Sequence, residues 1–332
     1  MKLYDVAIVG ATGLVGRKII QILEERNFPV GSLRLYASEK SSGKEFLFQD
    51  RLVKVETLTY EDFHTHEFVF FSAGAAISKE FAPLASKAGA IVIDNSSAFR
   101  MEKFVPLVVP EVNPQALLHH HNIIANPNCS TIQMVVALKP LHDKWKIKRI
   151  VVTTFQSVAG AGQKGIDQME DELNNVPLRF QKFPHQIVHN IIPQVDAFLF
   201  DGVTKEERKM IDETIKIMGD RRIKVSATCT RVPVYIGHSE SVNVEFRKKF
   251  HLEEARALLQ HAKGIVVMDN AEENQYPLAI HCAERDEVFV GRIRSDESVE
   301  HGLNLWIVAD NVRKGAATNA VQIAEELITL KT

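Results

Sequence analysis

The run Val6-Ala7-Ile8-Val9 passes directly into Gly10-Ala11-Thr12-Gly13-Leu14-Val15-Gly16. The apolar run reads as a strand, and the spacing of Leu14, Val15, Ile19, Ile20, Ile22 and Leu23 predicts a helix straight after the turn. In such a turn the first glycine permits the tight bend. The second lets a pyrophosphate approach the backbone, and the third lets helix and strand pack closely. The phosphates would rest on the helix N-terminus. Strand, glycine turn and helix in this order predict a dinucleotide-binding unit; the plainer alternative is an ordinary strand–turn–helix connection.

The same rhythm continues to about residue 130. Strands are expected at 4–9, 33–37, 68–73, 90–94 and 122–125, with helices at 14–26 and 77–88. This alternation predicts a Rossmann-type, doubly wound parallel sheet. Ligand would then lie at the carboxyl ends of the strands, where Ser38 to Gly43, Ser72-Ala73-Gly74 and Asn95-Ser96-Ser97 form loops. From about residue 148 the pattern changes. Longer, more alternating runs at 149–157, 223–236, 241–247, 287–294 and 303–309 predict a largely antiparallel sheet with one face covered. Helices are expected at 164–174, 204–218 and 252–262, the second opening on the capping-box match Thr204-Lys205-Glu206-Glu207. A last helix, about 314–330, follows the small residues of Lys314-Gly315-Ala316-Ala317 and is expected to return to the nucleotide domain. The expected division is therefore residues 1–128 completed by 312–332, and an α+β domain over 129–311.

With 332 residues the chain has room for two domains, and 45% hydrophobic with 25% charged residues is a soluble globular composition. A formal net charge of −2 gives no electrostatic reason to expect nucleic acid or an anionic membrane as partner. No run approaches the ~20 apolar residues of a membrane span, and the start of the chain reads as a strand rather than a signal peptide. The three cysteines, Cys129, Cys229 and Cys282, lie far apart without metal-type spacing, which predicts free thiols in a reducing cytoplasm. His119-His120-His121 lies in a polar connection and reads as a solvated loop, so no metal is expected.

Asn126-Pro127-Asn128-Cys129-Ser130-Thr131 is followed at once by the helical spacing of Ile132, Val135, Val136 and Leu138. Cys129 therefore sits where a turn feeds a helix N-terminus, and unpaired N–H groups and the helix dipole there favour a thiolate. The plainer alternative is a small buried residue beside a cap. Four more features carry chemistry. Thr154-Phe155-Gln156-Ser157-Val158-Ala159-Gly160-Ala161-Gly162 ends a strand in small residues that let an acyl group or a flat ring approach the backbone. Arg231 and His238 bracket Val232-Pro233-Val234-Tyr235-Ile236-Gly237; their odd spacing puts them on opposite faces of a straight strand unless Pro233 and Gly237 bend it. Glu206 and Lys209 are three apart and share a helix face. Arg100 closes the loop from Asp94, and its fork suits a phosphate or carboxylate.

Over almost the whole chain these stretches resemble the aspartate-semialdehyde dehydrogenase family, in its bacterial branch. The most specific part is Cys129, Gln156, Arg231 and His238 in that order, joined by Asp310-Asn311 before Lys314. Ala159 departs from the serine or glycine of many relatives. The resemblance implies NADP-dependent, reversible reductive dephosphorylation of L-aspartyl 4-phosphate, a reaction of lysine, threonine and methionine biosynthesis, in a homodimer or homotetramer built on the 129–311 domain. It implies Cys129 as the nucleophile that forms a thioester, and His238 as general acid/base with an ordinary pKa near neutrality. By the same resemblance Gln156 orients the acyl group and Arg231 holds the α-carboxylate. Glu206 meets the ammonium, and Arg100, Lys209 and Asn128 meet the phosphate. Gly10, Ala11, Thr12, Gly13 and Gly16 would wrap the pyrophosphate, with Ala159, Gly160 and Asn311 at the nicotinamide. Ser38, Lys40 and Ser41 offer donors to a 2′-phosphate, although Glu39 could instead reach a ribose hydroxyl. N-acetylglutamyl-phosphate and malonyl-CoA reductases, or a non-catalytic nucleotide-binding paralogue, remain the alternatives.

Overall fold

Strand β1 (Tyr4–Val9) occupies the middle of a seven-stranded sheet in the computed structural model, which describes residues 2–60, 63 and 65–331. The other strands are β2 (Val30–Ala37), β3 (Glu45–Phe48), β4 (Arg51–Thr57), β5 (Phe68–Phe71), β6 (Ile91–Asp94) and β7 (Ile123–Ala125), in the order β3-β4-β2-β1-β5-β6-β7. All pairings are parallel except the β3–β4 hairpin at one edge. That hairpin is absent from the sequence reading. Most of its residues are exposed, the leucines Leu47 and Leu52 as well as the charged Glu45, Arg51, Lys54 and Glu56, so residue type and burial do not alternate together.

Helices cover both faces of this sheet, which explains the unbroken apolar run of β1. Val6 and Ile8 pack with Ile19, Ile22 and Leu23 of α1 (Leu14–Glu25), while Ala7 and Val9 pack with Ala82 and Ala85 of α2 (Ala75–Lys87). The chain splits into two units, Met1–Asn128 with Ala316–Thr332, and Cys129–Gly315. The last helix of the chain, α8 (Thr318–Lys331), thus belongs to the first unit, where Ala320, Val321 and Ala324 join the α1 face of the core. A forked ion pair from Arg26 to Glu325, 2.8 and 2.6 Å, fastens α1 to α8.

The second unit is built on α3 (Cys129–Trp145) and a six-stranded sheet. Its strands are β8 (Ile147–Gln156), β9 (Lys224–Arg231), β10 (His238–Phe246), β11 (Ile265–Val267), β12 (Val288–Asp296) and β13 (Gly302–Ala309), in the order β11-β12-β13-β10-β8-β9. The β8–β9 and β11–β12 pairs are parallel and the rest antiparallel. Four helices complete the unit: α4 (Gln163–Leu173), α5 (Lys205–Met218), α6 (Leu252–His261) and α7 (Ala279–Cys282). In α3 every residue from Ser130 to Leu138 is buried. The capping box of α5 is present as read: Thr204 Oγ accepts from the Glu207 N–H, and the Glu207 carboxylate accepts from the Thr204 N–H.

Two expectations need correction. The run 223–236 is not one bent strand; β9 stops at Arg231, and β10 starts at His238 on the far side of β8. Pro233 offers no N–H to a ladder, and Gly237 adopts φ +99° against Ala279, so the chain leaves the sheet between them. The final helix does not begin at 314 as regular α-helix. A π-helical turn, Arg313–Ala317, precedes α8, because Asp310 draws the N–H groups of Val312 and Arg313 to its carboxylate and that of Gly315 to its carbonyl.

Candidate active site

Cys129 is the first residue of α3, half-buried, and none of the three cysteines forms a disulfide. The π-helical turn passes close beside it: a Cβ on Gly315 would lie 2.8 Å from the Cys129 Cβ. The missing side chain of Gly315 therefore lets backbone pass the half-buried cysteine.

Gln156, Arg231 and His238 meet at one end of three adjacent strands. Gln156 ends β8, Arg231 ends β9 directly opposite it, and His238 begins β10 on the other flank, facing Ala309 of β13. Strand order thus removes the parity conflict in the sequence. The two residues do not share a strand.

His238 is fully buried, and its ring is held at Nδ1. The Ser157 N–H donates to Nδ1 at 3.1 Å, so Nδ1 holds a lone pair and a neutral ring carries its proton on Nε2. Ser157 Oγ donates instead to Asn311 Oδ1 at 2.9 Å, an oxygen that also accepts the Gly237 N–H at 2.9 Å. Nε2 has no hydrogen-bond partner among the described residues. Burial, and then the nearby Arg231 charge, hold the His238 pKa well below its usual 6.5. The expectation of an ordinary, near-neutral histidine is therefore wrong: desolvation and a like charge both favour the neutral ring.

Arg231 is 5% exposed, donates from Nη1 to the Ser157 carbonyl at 2.7 Å and lies over the Phe183 ring at 5.8 Å. Burial lowers its pKa and the Glu206 charge opposes that, yet no salt bridge joins Arg231 to a carboxylate among the described residues. Gly160 fits between the tips of the Arg231 and His238 side chains. A Cβ there would stand 2.8 Å from Arg231 Nη1 and 3.0 Å from His238 Nε2. Ala159 is buried beside it, and the Val158 and Ala159 N–H groups bond to Val234 and Tyr235, fastening this turn to the 232–237 loop.

Glu206, in the first turn of α5, accepts from Gln156 Nε2 at 3.1 Å and from Lys209 Nζ at 3.2 Å; Lys209 also reaches Asp196 at 2.9 Å. Gln156, Glu206 and Lys209 therefore form one connected polar group. Asn311 is mostly structural, its oxygen given to Ser157 and Gly237, which leaves the Nδ2 amino group to meet a ligand.

The remaining expected residues belong to the first unit. Arg100 is buried, its Nε bonded to the Asn126 carbonyl and its Nη2 to that of Asn95, both at 2.9 Å, and Asn128 is buried as well. In the glycine turn, Gly10 has φ +87° and a Cβ on it would lie 2.7 Å from the Ser72 carbonyl carbon, while one on Gly16 would lie 2.2 Å from the Gly10 oxygen. Gly13 opens α1 without any side-chain cap, as an anion site requires. Ala11 contributes less than expected: its methyl is in the core and its N–H is held by the Tyr36 carbonyl. Thr12 Oγ1 bonds Ser41 Oγ at 3.4 Å, joining the turn to the exposed Ser38–Ser41 loop that carries Lys40 and Glu39.

Three residues of this neighbourhood escaped the sequence reading. Ser157 lay inside a quoted stretch but had no signal for its bond to His238. Gln133, one turn beyond Cys129, donates from Nε2 to the His238 carbonyl at 3.2 Å. Glu240, two residues after His238 on the same strand face, is fully buried.

A glycine-turn α/β unit, joined to a unit that brings together a helix-start cysteine, a histidine, a glutamine and a buried arginine, defines a semialdehyde dehydrogenase. The chain matches the semialdehyde dehydrogenase NAD binding domain over residues 5–120 and the dimerisation domain of the same enzymes over residues 138–314. An aspartate-semialdehyde dehydrogenase of Aquifex aeolicus is 56% identical, over 98% of both chains. The Vibrio cholerae aspartate semialdehyde dehydrogenase II solved in complex with ASA superposes with a TM-score of 0.96 at 48% identity, covering 99% of each chain. A Candida albicans aspartate semialdehyde dehydrogenase solved with NADP superposes with a TM-score of 0.78 at 26% identity, covering 98% of each. The chain belongs to the aspartate-semialdehyde dehydrogenase family.

Proposed function

We propose that the chain catalyses the reversible, NADP-dependent conversion of L-aspartyl 4-phosphate to L-aspartate 4-semialdehyde and phosphate through a thioester on Cys129, a step of lysine, threonine and methionine biosynthesis in the cytoplasm. The observation that carries this reading is the buried Arg231 guanidinium beside a histidine Nε2–H, the first without a carboxylate salt bridge and the second without a hydrogen-bond partner among the described residues. A substrate with an α-carboxylate supplies the missing anion, ideally through a two-pronged contact. Glu206 takes the substrate ammonium, and Lys209, Arg100 and Asn128 take the phosphate.

Cys129, as thiolate at the start of α3, attacks the acyl carbon; the C–S bond forms and the carbonyl oxygen takes up the electron pair. His238 donates its Nε2 hydrogen bond to that oxyanion, while Gln156, held by Glu206, orients the acyl group. The oxyanion collapses, the bond to phosphate breaks, and a thioester remains. The nicotinamide cofactor, when bound, supplies the hydride that reduces the thioester. Collapse of the resulting alkoxide breaks the C–S bond, regenerates the Cys129 thiolate and releases the aldehyde. No net proton passes through His238. A ring that stays neutral is therefore suited to the work, as an oxyanion donor rather than the general acid/base first expected.

For the cofactor, a turn packed so tightly at Gly10 and Gly16 that a Cβ on either would run into backbone, leading into the uncapped start of α1, suits a pyrophosphate. Lys40, with Ser38, Ser41 and Thr12, favours NADP over NAD. A homodimer is favoured by the dimerisation-domain match and by the exposed apolar side chains of Leu173, Val176, Phe180, Phe198 and Phe200 between α4 and α5.

The test is reduction of NADP by the purified chain. It should require both aspartate semialdehyde and phosphate, and N-acetylglutamate semialdehyde should not substitute. Cys129→Ser should abolish turnover and leave NADP binding intact. Turnover without phosphate, or a serine variant keeping more than a few per cent of activity (a barrier change below about 2 kcal/mol), would overturn the thioester route.

A further inference from the structure

Glu240 is a carboxyl group with 0% exposure in β10, near the middle of the six-stranded sheet. In register it stands opposite Thr154 of β8 and Ile307 of β13, and Thr154 in turn stands opposite Cys229 of β9. This row lies two residues behind the His238, Gln156 and Arg231 strand ends, on the same sheet face. No lysine or arginine stands in it. Its titratable member besides Glu240 is Cys229, buried and with its thiol pKa pushed up, first by desolvation and then by carboxylates including Glu240.

Neither Glu240 oxygen has a hydrogen-bond partner among the described residues, and the same holds for Gln133 Oε1. Gln133 lies against this carboxyl: burial drives the Glu240 pKa well above the carboxylate range, and the Gln133 amide opposes that shift. An ionised carboxylate here would be a desolvated charge without a cation. A neutral one has an O–H to give, and Gln133 Oε1 is an acceptor that lacks a donor. Gln133 Nε2 already bonds the His238 carbonyl. The link would then run from Glu240 O–H to Gln133 Oε1, and from Gln133 N–H to the His238 backbone. Gln133 sits one helical turn after Cys129, so this link ties the helix that carries the nucleophile to the strand that carries the oxyanion donor.

We propose that Glu240 is a positioning residue: its carboxyl group holds Gln133, and through it fixes the His238 strand against the Cys129 helix. The inference rests on the roles proposed above for Cys129 and His238. One arm of the test is independent of activity.

Glu240→Gln keeps a neutral donor of the same shape and should retain kcat within about threefold, whereas Glu240→Leu should lower kcat about 10- to 100-fold with KM nearly unchanged, the cost of a slightly misplaced catalytic pair. Gln133→Leu should match that loss, and the Glu240→Leu/Gln133→Leu double variant should lose no more than either alone. A leucine variant with full kcat, or losses that add, would overturn the positioning role. The activity-free arm is urea unfolding of wild type and Glu240→Gln across pH. A carboxyl neutral in the fold contributes its full stability below the ordinary carboxylate pKa of 4.5 and loses it as pH rises toward the folded value. The Gln variant should therefore gain on wild type steadily above about pH 4.5. A pH-independent difference would mean that Glu240 is ionised in the fold, and would overturn the neutral link even if the reaction itself is as proposed.

Discussion

Burying an imidazole beside a guanidinium favours the neutral ring twice, and both causes act on His238. The consequence for stability has a definite sign. The folded pKa lies below 6.5, so as pH falls through 6.5 the unfolded chain takes up a proton that the native chain does not. Wild type should lose stability relative to His238→Asn by about 1 kcal/mol in the first pH unit below that value, approaching about 1.4 kcal/mol per unit further down. Urea midpoints of the two proteins between neutral and mildly acidic pH measure it, and parallel curves would mean a histidine that protonates in the fold. Arg231 makes the opposite demand on its surroundings, a buried charge whose guanidinium reaches the Ser157 carbonyl and lies over Phe183. Arg231→Lys keeps the charge but loses the fork, so kcat/KM should fall about ten- to a hundredfold, the value of one hydrogen bond to a charged group. Alkylation of Cys129 should proceed as in wild type. Unchanged kcat/KM would make Arg231 a purely structural contact. The place of Cys129 at a helix start could be read from sequence because the turn and the apolar spacing lie next to it. The state of His238 could not, because its causes lie on β8, on β9 and in the turn after β8.

Helix α5 connects a local signal to the proposed substrate site. Its capping box pairs Thr204 with Glu207, and Glu207 also accepts the Cys229 N–H at 3.0 Å, so the start of the helix is fixed to β9. One turn of this anchored end carries Glu206 to Gln156. Removing the cap by Thr204→Ala should cost about 1 kcal/mol of stability, within the 0.5–2 range for such caps. Because Glu206 would lose its fixed start, KM for aspartate semialdehyde should rise while kcat stays within about twofold, the signature of weakened ground-state binding. Calorimetry and steady-state kinetics on one preparation check both, and a stability loss with unchanged KM would separate the cap from the site. At this scale the sequence is legible where pattern and burial agree. The strands β1 and β5 and the start of α5 lie close to where their periodicity puts them. The β3–β4 hairpin and the three-residue β11 do not, since an exposed edge or a very short strand has no apolar period to display.

Across the whole chain, the first unit carries the NAD binding domain match and the second the proposed cysteine chemistry, and cofactor choice tests the reading of the former. A 2′-phosphate needs a cation, and Lys40 is the positive side chain of the Ser38–Ser41 turn. Lys40→Ala should weaken NADPH by about one to two powers of ten, from a charged hydrogen bond of about 1.5–3 kcal/mol. NADH should hardly change. Equal losses for both cofactors would reduce Lys40 to loop support, and a wild-type preference for NADH would point to Glu39 as a ribose ligand. The glycine turn, the capping box and the cysteine at a helix start were all readable because each depends on residues within a few positions of one another, where turn chemistry and helical period act directly. The pairing of Arg231 with His238 across β8, the neutral histidine and the Glu240–Gln133 link were not. They arise from strand order and register: Ser157 and Asn311, which together hold the His238 ring and its strand start, lie 154 residues apart. A desolvated environment has no local sequence code, because it is made by whichever distant side chains the sheet brings to the same face.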